Sequence, residues 1–303
     1  MAKFVTNLLI FFAPLIILAA TVIIVDPYNF FPEVSPVPFK KKEQILADSN
    51  QNGAIYYGIW KTIEFKRNPS DHLIVGDSRP FKINTDQVYA HTNVSYYNLA
   101  IPASNLDTTC SLFWLATRHI KLKKVYLGIG FQNYNSIQAN QMYKEIERCT
   151  SSIFTYPLES RALRSTIKVI FNLVNQFIGN ESKNKPDRNQ QWNNILLWLD
   201  GDYARYKYPH NYKRMLTEIS LYCKTNKIEF HIIIYPQHKD VRDLISKYSL
   251  DEKYKKFVSD MKSIGIVHNL DDNRTYYSDK SLFADPIHPN FEFNKKIVDI
   301  IWK

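Results

Sequence analysis

Two short stretches carry side chains whose types and spacing suit chemistry. Gly76-Asp77-Ser78-Arg79-Pro80 stands in the first third of the chain, and Asp285-Pro286-Ile287-His288-Pro289 close to its end. A serine hydroxyl is a weak nucleophile unless a base takes its proton and a third group orients that base. His288 is of the type to serve as base, and Asp285 of the type to hold its ring in one tautomer. Each stretch alone has a plainer reading. Asp77 or Ser78 caps a turn, and Asp-x-x-His marks a surface turn ahead of a helix. Only together do they suggest nucleophilic catalysis.

The elements around them decide whether the two stretches can meet. His72–Val75 reads as a short buried strand ending at Gly76. Further strands are expected at Ser95–Ala100, Lys124–Phe131, Phe230–Tyr235 and Ile266–Leu270. Helices are expected over Leu106–Lys121, across most of 137–205, and over Tyr212–Asn226, Leu244–Ile264 and Phe291–Trp302. The polar stretch Gly179–Arg188 reads as a loop. Strands separated by helix-length segments predict βαβ units and a parallel sheet. In such sheets ligands bind beyond the carboxyl ends of the strands. Ser78 follows the first strand, and the Asp285/His288 pair lies between the last strand and the last helix, so both fall on that edge. His238 also follows a strand end and reads equally as cleft lining or as a loop residue. His72, inside a strand, reads as structural. Trp192, Trp198 and Tyr203 would suit sugar stacking, yet aromatics at helical spacing are more often core.

Composition narrows the classes. The 303 residues are 45% apolar and 14% aromatic, with a net charge of +10, which favours an anionic neighbour. The basic residues are spread out, with no nucleic-acid-binding motif among them, so a membrane surface or an anionic polymer is expected rather than nucleic acid. Cys110, Cys149 and Cys223 are widely separated without a C-x-x-C pair. Cys110 and Cys223 read as buried free thiols; no metal site and no cofactor is expected.

The uncharged run Phe4–Val25 matches the ~20 residues of a membrane-crossing helix. It is longer than the core of a cleavable signal and lacks a polar cleavage region after Ala19-Ala20. A single span with the N-terminus cytoplasmic and the bulk of the chain outside is expected: Lys3 and the amino terminus favour that orientation, whereas Lys40-Lys41-Lys42 lies beyond the other end and counts against it. A soluble lipase released by signal cleavage, lacking residues 1–25, is the alternative. Pro27, Pro32, Pro36 and Pro38 predict an extended connector, and Gly53 and Gly58 weaken a helix in the lead-in to the domain. The expected organisation is an anchor over 1–25, a connector and lead-in over 26–69, and one α/β domain over 70–303.

The two chemical stretches resemble the first and last blocks of the SGNH (GDSL-type) hydrolase superfamily, Gly-Asp-Ser and Asp-x-x-His-Pro. The resemblance implies a flavodoxin-like three-layer sandwich and a Ser78–His288–Asp285 triad. It implies oxyanion donors near Ala103, which stands where the family has glycine, and at Asn133 in Gly130-Phe131-Gln132-Asn133, offset from the family's Gly-x-Asn-Asp. Arg79 replaces the family's leucine and would set a positive charge beside the nucleophile; Asp77, Arg79 and His238 are candidates to line the cleft. One span, then Asp26-Pro27, then a Gly-Asp-Ser-Arg domain looks like the membrane-anchored proteins of cell-surface polysaccharide O-acylation. That implies a surface polysaccharide as acceptor and a polytopic membrane acyltransferase as acyl donor. A non-catalytic glycan-binding or assembly protein on the same scaffold is the rival reading.

Overall fold

The computed structural model describes residues 2–47, 50–138, 141–177, 187–272 and 277–303. Most of the expected Gly179–Arg188 loop lies outside them. The chain forms two compact units: residues 1–68 with 142–183, and residues 69–141 with 184–303. The second unit is therefore discontinuous in sequence, and 142–183, counted above within the 70–303 domain, clusters with the N-terminal segment.

In the first unit α1 (Ala2–Val25) is followed by α2 (Phe39–Leu46) and α3 (Asn50–Arg67). Among the described residues no helix is long and apolar enough to cross a membrane; the side chains at 2, 5, 6, 8 and 9 of α1 are outside that description. The proline-rich stretch is not extended. It winds in turns about the buried Asp26, whose carboxylate accepts from Phe30 N (2.7 Å) and Phe31 N (2.8 Å). Lys42, read from sequence as one of three flanking charges, is buried, and its Nζ donates to the Asp26 carbonyl at 2.9 Å. The α3 helix forms despite Gly53. A Cβ there would stand 2.5 Å from the Ala47 carbonyl oxygen, so glycine permits a close approach of backbones. This is packing overriding helix propensity.

The second unit is an α/β fold on a five-stranded parallel sheet. Its strands are β1 (His72–Gly76), β2 (Tyr97–Asn98), β3 (Lys124–Ile129), β4 (Glu229–Ile234) and β5 (Ile266–Asn269), in spatial order 2-1-3-4-5. β2 is shorter than the expected Ser95–Ala100, with only Tyr97 and Asn98 registered on Leu73 and Ile74. On one sheet face Ile74, Tyr126 and Ile233 form a core with Phe293, Ile297 and Trp302. The alternate residues Leu73, Val125 and Ile232 are fully buried too, as strands covered on both faces require. The expected helix Leu244–Ile264 is two helices, Lys239–Lys247 and Asp251–Ile264, parted at Ser249 with φ +53°. Cys110, Cys149 and Cys223 are all buried and free.

His231 on β4 and His268 on β5 share a ring-to-ring hydrogen bond of 3.0 Å, and burial pushes both imidazoles below their ordinary range. The unfolded chain takes up these protons below about pH 6.5, while the fold resists them. Their contribution is thus complete above that pH and is lost as pH falls through it. Urea titrations at stepped pH should show stability declining from about pH 6.5 downward. His268→Gln should flatten that slope; an unchanged slope would count against these two rings as its source.

Candidate active site

In the strand order 2-1-3-4-5 the chain turns back between β1 and β3, and the crevice beyond their carboxyl ends is the natural ligand site of such a sheet. The sequence places Gly76-Asp77-Ser78 at the end of β1. Gly76 has φ +142°, and a Cβ there would meet Gly128 O at 2.5 Å, so no other residue fits without a shift. Asp77 then folds back on itself: its Oδ1 accepts from Arg79 N at 2.9 Å. This Asx turn holds Ser78 at its centre. Ser78 is half-buried while Asp77 and Arg79 on either side are buried.

The partner stretch comes from beyond β5. Residues 283–289 form a two-stranded antiparallel hairpin, β6 (Phe283–Asp285) and β7 (His288–Pro289), which the sequence did not announce. Arg188 Nη2 donates to Phe283 O (2.8 Å) and His238 N to Pro286 O (2.9 Å). The helix α12 (Phe291–Trp302) starts at once behind it, capped by Asn290, whose side chain accepts from Phe293 N at 2.8 Å. Among the described residues, α4 (Thr85–Thr92), α5 (Leu106–Thr117), α6 (Met142–Thr150), α7 (Ser160–Phe177), α8 (Arg188–Ala204), α9 (His210–Thr225), α10 (Lys239–Lys247) and α11 (Asp251–Ile264) lie between α3 and α12.

The two stretches meet. Ser78 Oγ lies 2.6 Å from His288 Nε2, and His288 Nδ1 lies 2.7 and 2.9 Å from the two oxygens of Asp285. Asp285 Oδ1 also accepts from the backbone N of Ile287 and of His288, each at 3.1 Å. An ionised carboxylate only accepts, so Nδ1 carries the proton and the Nε2 lone pair faces the serine hydroxyl. That is the arrangement a general base needs: a nucleophile within reach and an orienting group behind.

The other expected site residues divide. Asn133, just past β3, donates its amide Nδ2 to Asp77 Oδ2 (2.7 Å) and to Ser104 O (3.2 Å). Both its protons are committed, which leaves none for an oxyanion. Ala103 has φ +54°, a left-handed conformation that favours glycine. Its N–H and that of Ser78 have no hydrogen-bond partner among the described residues. Arg79 does not present charge to the cleft. Its guanidinium is buried on the Asp77 carboxylate, with Nε 3.1 and 3.2 Å from the two oxygens and Nη2 also bonded to Oδ2. His238 caps α10, its Nδ1 accepting from Asp240 N at 3.2 Å, and packs edge-on to Trp192; burial lowers its basicity. Trp192 and Tyr203 are buried, and Trp192 Nε1 donates to Asp240 at 2.8 Å, so neither offers a face to a sugar. His72 pairs with Asp71 at 2.6 Å.

Two contributors had no separate sequence signal. Ser104 Oγ donates to Gly76 O at 3.0 Å, fastening the Ala103 loop to the end of β1. Gly130 leaves room for Arg79: a Cβ there would stand 1.7 Å from Arg79 Nη1.

No protein-family model matches the chain, and no curated protein does. Among solved structures, a chain described as "a putative platelet activating factor from Streptococcus pneumonia" is similar at 10% identity, over 84% of this chain and 94% of that one, with a TM-score of 0.37. So distant a likeness adds nothing to the reading of the site.

Proposed function

We propose that the protein is a membrane-anchored, extracytoplasmic serine acyltransferase or esterase of SGNH type, with the flavodoxin-like sandwich of that superfamily. It acts on O-acyl groups, O-acetyl foremost, of a cell-surface polysaccharide. The observation that carries the reading is the hydrogen-bonded relay from Ser78 through His288 to Asp285 at the sheet's ligand edge. The uncharged run Phe4–Val25 supports the anchor, and the resemblance of motifs and layout supports the polysaccharide acceptor and a polytopic membrane acyltransferase as donor.

In this mechanism Ser78 Oγ attacks the acyl carbonyl carbon as its proton passes to His288 Nε2. The imidazolium is held by Asp285, and the N–H groups of Ser78 and Ala103 are the donors for the oxyanion. Collapse expels the donor's leaving group, which takes the proton from His288, and leaves an ester on Ser78. A sugar hydroxyl, or water, then gives its proton to His288 and attacks that ester, and Ser78 recovers its proton. No cofactor enters.

The committed amide of Asn133 favours the rival reading, a glycan-binding or assembly protein on a scaffold whose oxyanion site has decayed. Intact-mass analysis of the full chain in detergent after a p-nitrophenyl acetate pulse separates the two. An acetyl adduct on wild type that is missing from Ser78→Ala is the expected result. No adduct and no ester turnover would favour the binding protein, and an adduct persisting in Ser78→Ala would sink Ser78 as nucleophile.

A further inference from the structure

The first unit exposes apolar side chains in an ordered stripe. On α7, Ile167 (61% exposed), Ile170, Phe171 (63% exposed) and Val174 are open to solvent, while Ala162, Thr166 and Val169 on the other side are buried. The spacing i, i+3, i+4, i+7 gathers the exposed four on one face. The turn before α7 adds Phe154, 87% exposed, with Ile153 and Leu158. Isolated exposed apolar residues need no explanation, but a contiguous patch marks an interaction surface.

Two features say what covers it. The first is place. Tyr156 of the same turn donates its hydroxyl to Asp26 Oδ1 at 3.0 Å, and the Tyr28 hydroxyl lies 2.8 Å from Ser165 Oγ of α7. Asp26 and Tyr28 directly follow α1, so turn and helix are fastened where the uncharged run ends. The second is charge. Arg161, Arg164 and Lys168 follow the stripe along one flank of α7 and line a cavity of about 180 Å³ with Tyr28, Tyr56 and Ser165. The Tyr56 hydroxyl, on a residue 1% exposed, has no hydrogen-bond partner among the described residues. Arg161 is balanced by Glu145 at 2.5 Å, while no ion pair balances Arg164 among the described residues, so the lining keeps a positive excess. An apolar stripe bordered by Arg and Lys is the pattern of a helix lying in a bilayer interface, apolar side in the acyl region and cations at the headgroups. A second copy of the chain would not call for the basic border.

We infer that the 153–158 turn and α7 form a docking face for the anionic phospholipid surface of the membrane that α1 enters, with a headgroup phosphate seated among Arg161, Arg164 and Lys168. The inference rests on the anchor reading above, and docking would hold the unit flat against the bilayer.

The test uses the full chain in vesicles of phosphatidylcholine with or without phosphatidylglycerol. Nitroxides are placed through Phe154→Cys and Phe171→Cys, with Leu221→Cys, exposed on α9, as control; the native cysteines are buried. Labels at 154 and 171 should be relaxed by lipid-dissolved oxygen and shielded from an aqueous nickel chelate in anionic vesicles, while the label at 221 stays aqueous. Arg164→Gln/Lys168→Gln should weaken the preference for anionic vesicles by roughly fivefold per charge removed, and inorganic phosphate should not compete. Flotation resistant to alkaline carbonate with aqueous labels at 154 and 171 would overturn docking alone. Labels shielded from both relaxants would mean that a second copy covers the face, which also overturns it. Flotation lost in carbonate with lipid-facing labels would overturn the anchor and keep the docking face, and no flotation at all would overturn both.

Discussion

Ser78→Ala is expected to lower ester turnover by roughly 10⁴- to 10⁶-fold while leaving the fold intact. The hydroxyl is half-buried and, among the described residues, bonds to His288 alone, and its loss removes a single atom. The change in stability should stay within about 0.5 kcal/mol. His288→Ala should cost about as much turnover, because the proton that serine gives up has nowhere else to go. Groups that act as one unit do not add, so Ser78→Ala/His288→Ala should be no slower than either single variant. Asp285→Asn keeps the shape but offers an N–H where the carboxylate accepted, which favours the wrong tautomer of His288 and costs about 10⁴-fold. Steady-state turnover of p-nitrophenyl acetate across these variants decides the matter. A Ser78→Ala protein within tenfold of wild type would remove the serine from the chemistry, whatever the geometry of the relay.

The run Phe230–Tyr235 is legible because a parallel strand buried on both faces is apolar almost throughout, interrupted here only by His231; the strand is Glu229–Ile234. The last helix is read at its true ends, Phe291–Trp302, because a proline followed by a capping asparagine, Pro289-Asn290, marks a helix start. The meeting of the two stretches is legible because in a parallel βαβ sheet both follow strand ends and so fall on one edge; Ser78 and His288 do lie within hydrogen-bond distance. What escaped depends on distant partners. Asp26 reads locally as a charge beside an apolar run, yet it organises its unit through Tyr156, 130 residues away. The hairpin 283–289 has strands too short for a periodic signal, and it is held by Arg188 from α8. Asn133 sits where an oxyanion donor was expected, but the buried Asp77 claims its amide first. Arg79 looked like a charge for the cleft because nothing in a linear sequence says that a guanidinium will fold back two residues.

That guanidinium sets the largest expected effect on stability. Arg79 is 1% exposed and Asp77 4%, so neither charge has water to fall back on. Removing one member of such a pair strands the other, and Arg79→Ala should cost about 3–5 kcal/mol, far more than a surface pair would. Replacing both, as in Asp77→Asn/Arg79→Met, should cost much less than the sum of the single changes, since no buried charge is left alone. Gly130 supplies the sharper test. Its φ of −136° and ψ of 165° are extended backbone that alanine adopts freely, so a methyl group there has no conformational cost. What it meets is Arg79, with Nη1 1.7 Å from the new Cβ. Gly130→Ala should therefore destabilise by about 1–3 kcal/mol, as overpacking does, by forcing the guanidinium off Asp77. In an Arg79→Ala background the obstacle is gone, and the same methyl should cost less than about 0.5 kcal/mol. Urea unfolding of the four proteins in this cycle measures the difference. If Gly130→Ala costs the same in both backgrounds, the glycine serves something other than the ion pair, and Asp77–Arg79 is not what braces the turn beneath Ser78.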